Sequence, residues 1–459
     1  MLTVLLALFA CSGPDTDTET DVPQTTPWSG DLVPLTSEVA TTRGFEHART
    51  LVHMHSPWSH DACDGDGIID GEVNAECLDD LRSALCSQSI DVAFFSDHPS
   101  NAADQTYEQW SHPQAGDTPA MLGSVQVGDY INCDSGHRVL WLPGIEDETM
   151  PVAFDRHVAD TTDENHRLYN NSDAEAMTAF ADAGAVILQA HTEGRPIEQL
   201  TERQDLGMQG VEIFNLHAMF APDIRQEDLG LDPLGWATGI APFTSPEGTA
   251  EPDLMFLGVL ENQPPSLEKW NALMQRGPMV AVGGTDAHQN TLPLDLRDGE
   301  RGDSYRRMMR WFANVLLVTG DTPEAYETAL AAGRNYISFH ALGTPDNFDF
   351  HVEGDDGTIY EMGSTAPSGG IVNVSCPTLS ATSPHGELSP EVTVRVYKDG
   401  VVWKEGCAEG LGFPIDEDGA YSVQVEITPN HLLPFLGDEP DPFLRPYPWI
   451  LSNAVRVGL

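Results

Sequence analysis

The feature that most constrains this chain is a set of continuous apolar runs, each ending in a residue able to bind a cation. R-T-L-V-H-M-H (49–55), V-A-F-F-S-D-H (92–98), R-V-L-W-L-P-G-I-E (138–146), A-V-I-L-Q-A-H (185–191) and M-V-A-V-G-G-T-D-A-H (279–288) are apolar at successive positions, not alternate ones. Such runs suit parallel strands covered on both faces. G-V-E-I-F-N (210–215) reads the same way. Helical spacing lies between them in L-D-D-L-R-S-A-L-C, in A-E-A-M-T-A-F-A-D-A-G, which closes on Gly184, and in L-E-K-W-N-A-L-M-Q-R-G. Strand then helix, repeated, predicts an α/β fold, a barrel or a doubly wound sheet. In a parallel barrel the carboxyl ends of the strands converge on one face, where active sites form. Here those ends carry His53 and His55, Asp97 and His98, Glu146, His191, and Asp286 and His288.

Residues two apart in a strand share a face, so the His53–His55 and Asp286–His288 dyads each aim both side chains one way. A lone histidine at a strand end is usually a packed or solvated residue; five such coincidences at one topological place point to a metal site. Imidazoles and carboxylates bind borderline and hard divalent ions, and a set this large can hold two or three of Zn, Mn or Fe. Glu146 is the best placed carboxylate to bridge two ions. An ion pair roughly 3.5–4 Å apart lowers the pKa of bound water, giving a bridged hydroxide, and clamps both oxygens of an in-line displacement at phosphorus.

The stretches H-M-H-S-P-W-S-H-D, F-S-D-H, L-P-G-I-E, Q-A-H and V-G-G-T-D-A-H, in this order across roughly residues 49–340, resemble the motifs of the polymerase and histidinol phosphatase (PHP) family. The resemblance implies a distorted (β/α)7 barrel, two or three divalent ions and phosphoesterase chemistry. Carried over residue by residue, it implies His53, His55, His98, Glu146, His191, Asp286 and His288 as ligands. The family pattern after the first dyad reads Ser-Asp-Gly; here it reads Ser59-His60-Asp61, so His60 or Asp61 takes the acidic slot, with Asp61 favoured. One further ligand histidine is expected after the glutamate, His157 in preference to His166. Asp97, Asp61 and Asp286 are the candidate catalytic carboxylates, Asp97 either orienting the adjacent imidazole or shuttling protons. Other readings keep the metals and change the bond to an amide, ester or sugar linkage, or make the chain a non-catalytic envelope protein that binds a glycan or partner.

Further features complete the picture. Arg306 and Arg310 share a helical face and can meet a substrate phosphate; the surrounding carboxylates favour ion pairs instead. Residues 64–72, D-G-D-G-I-I-D-G-E, lack full EF-hand spacing and read as an insertion tied by Cys63. The stretches 99–137 and 216–265 lack periodicity and suit lids or insertions. Past about residue 345, alternating strands and a K-D-G hairpin signal predict a small antiparallel β-sandwich at 343–459, after a metal-binding barrel at 46–342. The closing P-W-I-L-S-N-A-V-R-V resembles the last strand of β-domains appended to exported PHP-like proteins.

The formal net charge is −50, with lysine only at 269, 398 and 404. Such a chain repels nucleic acid and anionic lipid, so its partner is a small-molecule or polymeric substrate, phosphorylated if the family resemblance holds. Met1–Ala10 is apolar and Cys11 follows, which resembles a bacterial lipoprotein signal with Cys11 as the lipidation site; no basic residue precedes the run. Residues 12–45 read as an acidic, Thr/Pro-rich disordered tether. The expectation is an exported, lipid-anchored protein of the cell envelope. Six further cysteines, 63, 77, 86, 133, 376 and 407, fit disulfides. Cys376 and Cys407 are expected to pair; the other four leave the pairing open. No C-x-x-C pair occurs, which argues against a thiolate zinc site.

Overall fold

Apolar runs with no polar face form strands only where both faces are covered, and the structure, a computed structural model of the chain, shows this arrangement. It describes residues 25–29, 36, 39, 42–407 and 412–459. The fold is mixed α/β, with a large central sheet and separate small antiparallel sheets.

Seven strands position the site: β1 Glu46–Met54, β2 Val92–Phe94, β3 Arg138–Leu142, β4 Met150–Val152, β5 Val186–Gln189, β6 Gly210–Asn215 and β7 Val280–Ala287. The parallel order is β3-β2-β1-β7-β6-β5. β4 lies antiparallel on β5, and a Gly144–Val152 bridge links it back to the segment after β3. Every residue of β2, β4, β5, β6 and β7 is buried, as the continuous runs require.

The helices follow from their caps and faces. Ala75–Ser87 begins at Asn74, whose side chain accepts the Cys77 N–H, and buries Leu78, Leu81 and Leu85. Ala174–Asp182 begins at Asp173, which accepts from Glu175 and Ala176, and stops before Gly184, whose φ of 85° a side chain would resist. Among the described residues no helix is long and apolar enough to cross a membrane. The disulfides are Cys63–Cys77, Cys86–Cys133 and the expected Cys376–Cys407.

Two sets of contacts cross the expected domain boundaries. The boundary at 342/343 is not a break in the sheet. β8, Ala313–Val318, pairs with β1, and β9, Asn335–Ser338, pairs with β8 and with the late strand Tyr447–Ser452. Asn453 adds to the join: its Oδ1 accepts the Ala281 N–H and its Nδ2 donates to the carbonyls of Ala281 and Asn335. A separate sheet runs through Phe350–Glu353, Ile359–Glu361, Ile371–Val374 and Phe413–Pro414.

The second concerns the tether. Thr26 exchanges backbone hydrogen bonds with His385, and Trp28 donates from Nε1 to Asp253 and packs on Phe435. A tryptophan with apolar neighbours within reach buries its ring, whatever the polarity of its flanks. The apolar leader, Cys11 and the rest of the tether lie outside the described residues.

The stretches without periodicity contain short elements. Thr118–Leu122 and Val125–Asn132 form a hairpin that extends the sheet beyond β3. Residues 216–265 hold His217–Phe220, Pro222–Glu227, Gly235–Thr244 and the 3-10 helix Pro252–Gly258.

Candidate metal centre

The parallel strands put their carboxyl ends on one side, and the side chains singled out there do meet. His53, His191 and Asp286 offer ligand atoms within 4.8 Å of one another; so do His53, His55 and Glu146; so do His55, Asp61 and His98. His288 joins at the edge, with Nε2 3.7 Å from Asp61 Oδ2.

Backbone geometry is unusual at these positions. His53, His191 and Asp286, the members of one group, all take left-handed φ values, 62°, 52° and 49°. None is glycine, so each carries a steric cost that the packed strands must hold in place. The pairing of β1 with β7 shifts register between Val52 and Met54, where His53 lies, so simple alternation does not set the His53 direction.

The hydrogen bonds assign the ring tautomers. His53 Nδ1 lies 2.6 Å from Glu212 Oε1 and donates to it. His98 Nδ1 donates to the Glu146 carbonyl at 2.9 Å. Ser59 Oγ donates to Asp61 Oδ1 at 2.8 Å, so at 2.9 Å it must accept from His55 Nδ1. Each imidazole thus spends its Nδ1–H outward and turns its Nε2 inward. These nitrogens face carboxylate oxygens: His53 Nε2 is 3.3 Å and His55 Nε2 3.2 Å from Asp286 Oδ1, and His98 Nε2 is 3.4 Å from Asp61 Oδ2.

Two lone-pair atoms that close repel unless a proton or a cation stands between them. Burial disfavours protonation of His53, but Glu212 and Asp286 outweigh it and raise its pKa. Against the same opposition from burial, Asp61 and Glu146 raise His98 to about 9, and Glu193 and Asp286 raise His191 to about 9. His55 differs: burial prevails over Asp286 and takes it down to about 4. His53 Nε2 and the Nδ1 atoms of His191 and His288 are buried without a hydrogen-bond partner. The donor set fits divalent cations of the borderline kind.

Of the remaining expectations, Asp61 stands in the group, while the His60 ring is exposed beside His98, centroids 4.8 Å apart. The structure does not bring His157 in. It stacks on Trp110, its Nδ1 meets the Tyr169 hydroxyl and its Nε2 the Gln105 carbonyl, so both nitrogens are engaged elsewhere. His166 pairs with Asp104. Asp97 is buried with both oxygens taken by Ser56, Oδ1 by the N–H and Oδ2 by the hydroxyl. It braces the turn after His55, and burial pushes it up to about 7. Arg306 and Arg310 turn to Asp253, the ion pairing that the charge balance favours.

Three residues escaped the sequence reading. His217 follows β6 and places Nδ1 3.5 Å from Asp286 Oδ2. Glu212 sits inside β6 and anchors His53; a Cβ on Gly284 would overlap its carboxylate, which accounts for a glycine there. Glu193 is buried, with its Oε1 3.7 Å from His191 Nδ1.

No protein-family model matches the chain, and no curated protein matches it. Among solved structures, a two-domain protein containing a predicted PHP-like metal-dependent phosphoesterase from Bacteroides vulgatus is similar at 10% identity, covering 90% of this chain and 98% of its own, with a TM-score of 0.37. PsfC from Pseudomonas syringae is similar at 12% identity, covering 64% of this chain and 93% of its own, with a TM-score of 0.33. At that level of likeness the functional reading rests on the geometry of the site itself.

Proposed function

We propose that this chain is a metal-dependent hydrolase that cleaves phosphoesters, and that its parallel core is a distorted (β/α)7 barrel of the PHP type. The observation that carries the proposal is that His53, His55, Asp61, His98, Glu146, His191 and Asp286 form three overlapping groups, the ligand atoms of each lying within 4.8 Å of one another. Divalent ions held there supply Lewis acidity and activate water for attack on phosphorus. The chain's own groups do the positioning. Glu212, Ser59 and the Glu146 carbonyl lock three imidazoles so that Nε2 faces inward. Asp286 spans two groups, Oδ1 toward His53 and His55 and Oδ2 toward His191 and His217. Three disulfides support an oxidising, exported setting, with lipidation at Cys11 as the anchor.

The test is elemental analysis of purified protein, followed by assay of Mn- and Zn-loaded samples against phosphomonoesters and phosphodiesters. Metal-dependent turnover, lost in a double His53→Ala, Asp286→Ala variant, is expected. Bound metal with no turnover of any phosphoester would refute the proposal.

A further inference from the structure

Beside the metal centre lies a cavity of about 380 Å³ whose wall includes Asp286, His288 and His217. It therefore adjoins the candidate ligands. The rest of its wall is mostly apolar: Leu216, Phe220, Met255, Leu292, Met308 and Trp311. All but the half-buried Phe220 are buried. The Trp311 ring is held by stacking on Phe256, centroids 5.2 Å apart, and by its Nε1–H donated to the Asp253 carbonyl. The cavity is thus pre-formed rather than a gap between mobile side chains.

Its charges are as informative as its size. Among the described residues no lysine or arginine lines it. The Asp303 carboxylate on its wall is already engaged: Oδ2 accepts the N–H groups of Thr291 and Leu292, and Oδ1 pairs with Arg301. Apart from His217 and His288, nothing there would neutralise a second phosphate or a carboxylate; the exposed Asn290 and Thr291 aside, a sugar's hydroxyls would lose water against methionine, leucine and tryptophan. An apolar cavity of ~150 Å³ suffices for benzene, so this one holds a fused aromatic pair or a medium alkyl chain.

Resting on the phosphoester reading, we propose that the substrates are aryl or alkyl phosphoesters whose apolar group occupies this cavity, and not sugar phosphates or nucleoside polyphosphates. Hydrolysis breaks the P–O bond to that group and forms one from water. One water proton goes to the departing alcohol or phenol and the other stays on phosphate.

The test uses two non-hydrolysable probes on metal-loaded full-length protein, 2-naphthylmethylphosphonate and methylphosphonate, with affinities by calorimetry. The naphthyl probe is expected to bind about tenfold more tightly or better, from ring burial. Phe220→Asp and Met308→Gln are each expected to bring the ratio toward one. Phe220 is part-exposed, so its replacement is tolerable to the fold. Equal affinities in the wild type, with both probes bound, overturn the substrate class and leave the phosphoester reading standing. Failure of both probes on protein with confirmed metal overturns both.

Discussion

Two regions of this molecule gather carboxylates tightly enough to hold a cation, and they meet the charge in opposite ways. At the strand ends, Asp61, Glu146 and Asp286 stand among neutral-capable imidazoles. Beside the helix Tyr305–Trp311, Asp253, Asp298 and Glu300 offer oxygens within 4.8 Å of one another, as close as the ligand atoms of each strand-end group. There the cations are built in. Arg306 meets Asp253 at 2.6 Å and also pairs with Glu300; Arg307 bonds Asp253 and reaches Asp298 at 2.9 Å. A guanidinium is always charged and covalently fixed, so this cluster is closed. Imidazoles can give up a proton, so the strand-end cluster can exchange one cation for another. Proximity of acids does not distinguish a metal site from a structural one; the nature of the neighbouring cation does.

The comparison breaks most visibly at Asp286. Asp286→Asn is expected to lower turnover roughly a thousandfold and metal content with it, read by steady-state kinetics and elemental analysis, with unfolding much less affected. Arg307→Met should do the reverse. Removing one partner of a buried ionic network costs about 3 kcal/mol or more, visible as a lower denaturation midpoint, while metal content per folded molecule stays the same. If Arg307→Met empties the metal site, the two clusters are not independent. A smaller effect is expected of Glu212→Gln, which weakens the outward anchor of His53 and should cost about tenfold in metal affinity, measured by competition with a chelator.

Glu327 sharpens the contrast from a third side, since it has neither metal nor arginine. Its Oε1 is buried without a partner, and burial, then Asp155 and Glu324, push its pKa up to about 8. Below the unfolded value near 4.5 both states are protonated. As pH rises from there to 8 the unfolded chain ionises first, the folded state holds the extra proton, and stability falls. Glu327→Gln should therefore stabilise by about 1 kcal/mol at pH 8, allowing for solvent screening, and by nothing at pH 4. Equal gains at both pH values would show that packing, not the charge, is responsible.

Much of the site was legible because each buried parallel strand announces itself by continuous apolarity, and a polar residue at its end has few bland explanations. That logic found His53, His55, His98, Glu146, His191, Asp286 and His288. It also had the means to find two of those it missed. Glu212 interrupts the apolar run G-V-E-I-F-N, and a carboxylate inside a strand buried on both faces must have a partner. His217 lies two residues beyond the end of the same run. His157 had only its place in the order of residues to recommend it, and order does not reveal that Trp110 and Tyr169 would claim its ring. The join between β9 and Tyr447–Ser452 was out of reach, because pairing partners more than a hundred residues apart leave no local trace.

That join has a consequence for timing. β7 carries Asp286 and leads directly into His288, and its other end is tied at Ala281 to Asn453, 172 positions later. A ribosome that has made every ligand residue has not yet made the strap that fixes the strand positioning two of them. Contacts of such long range form late. Acquisition of metal is therefore expected to follow synthesis of the β-rich region, and a nascent chain halted before Asn453 would display the ligands without the frame that aims them.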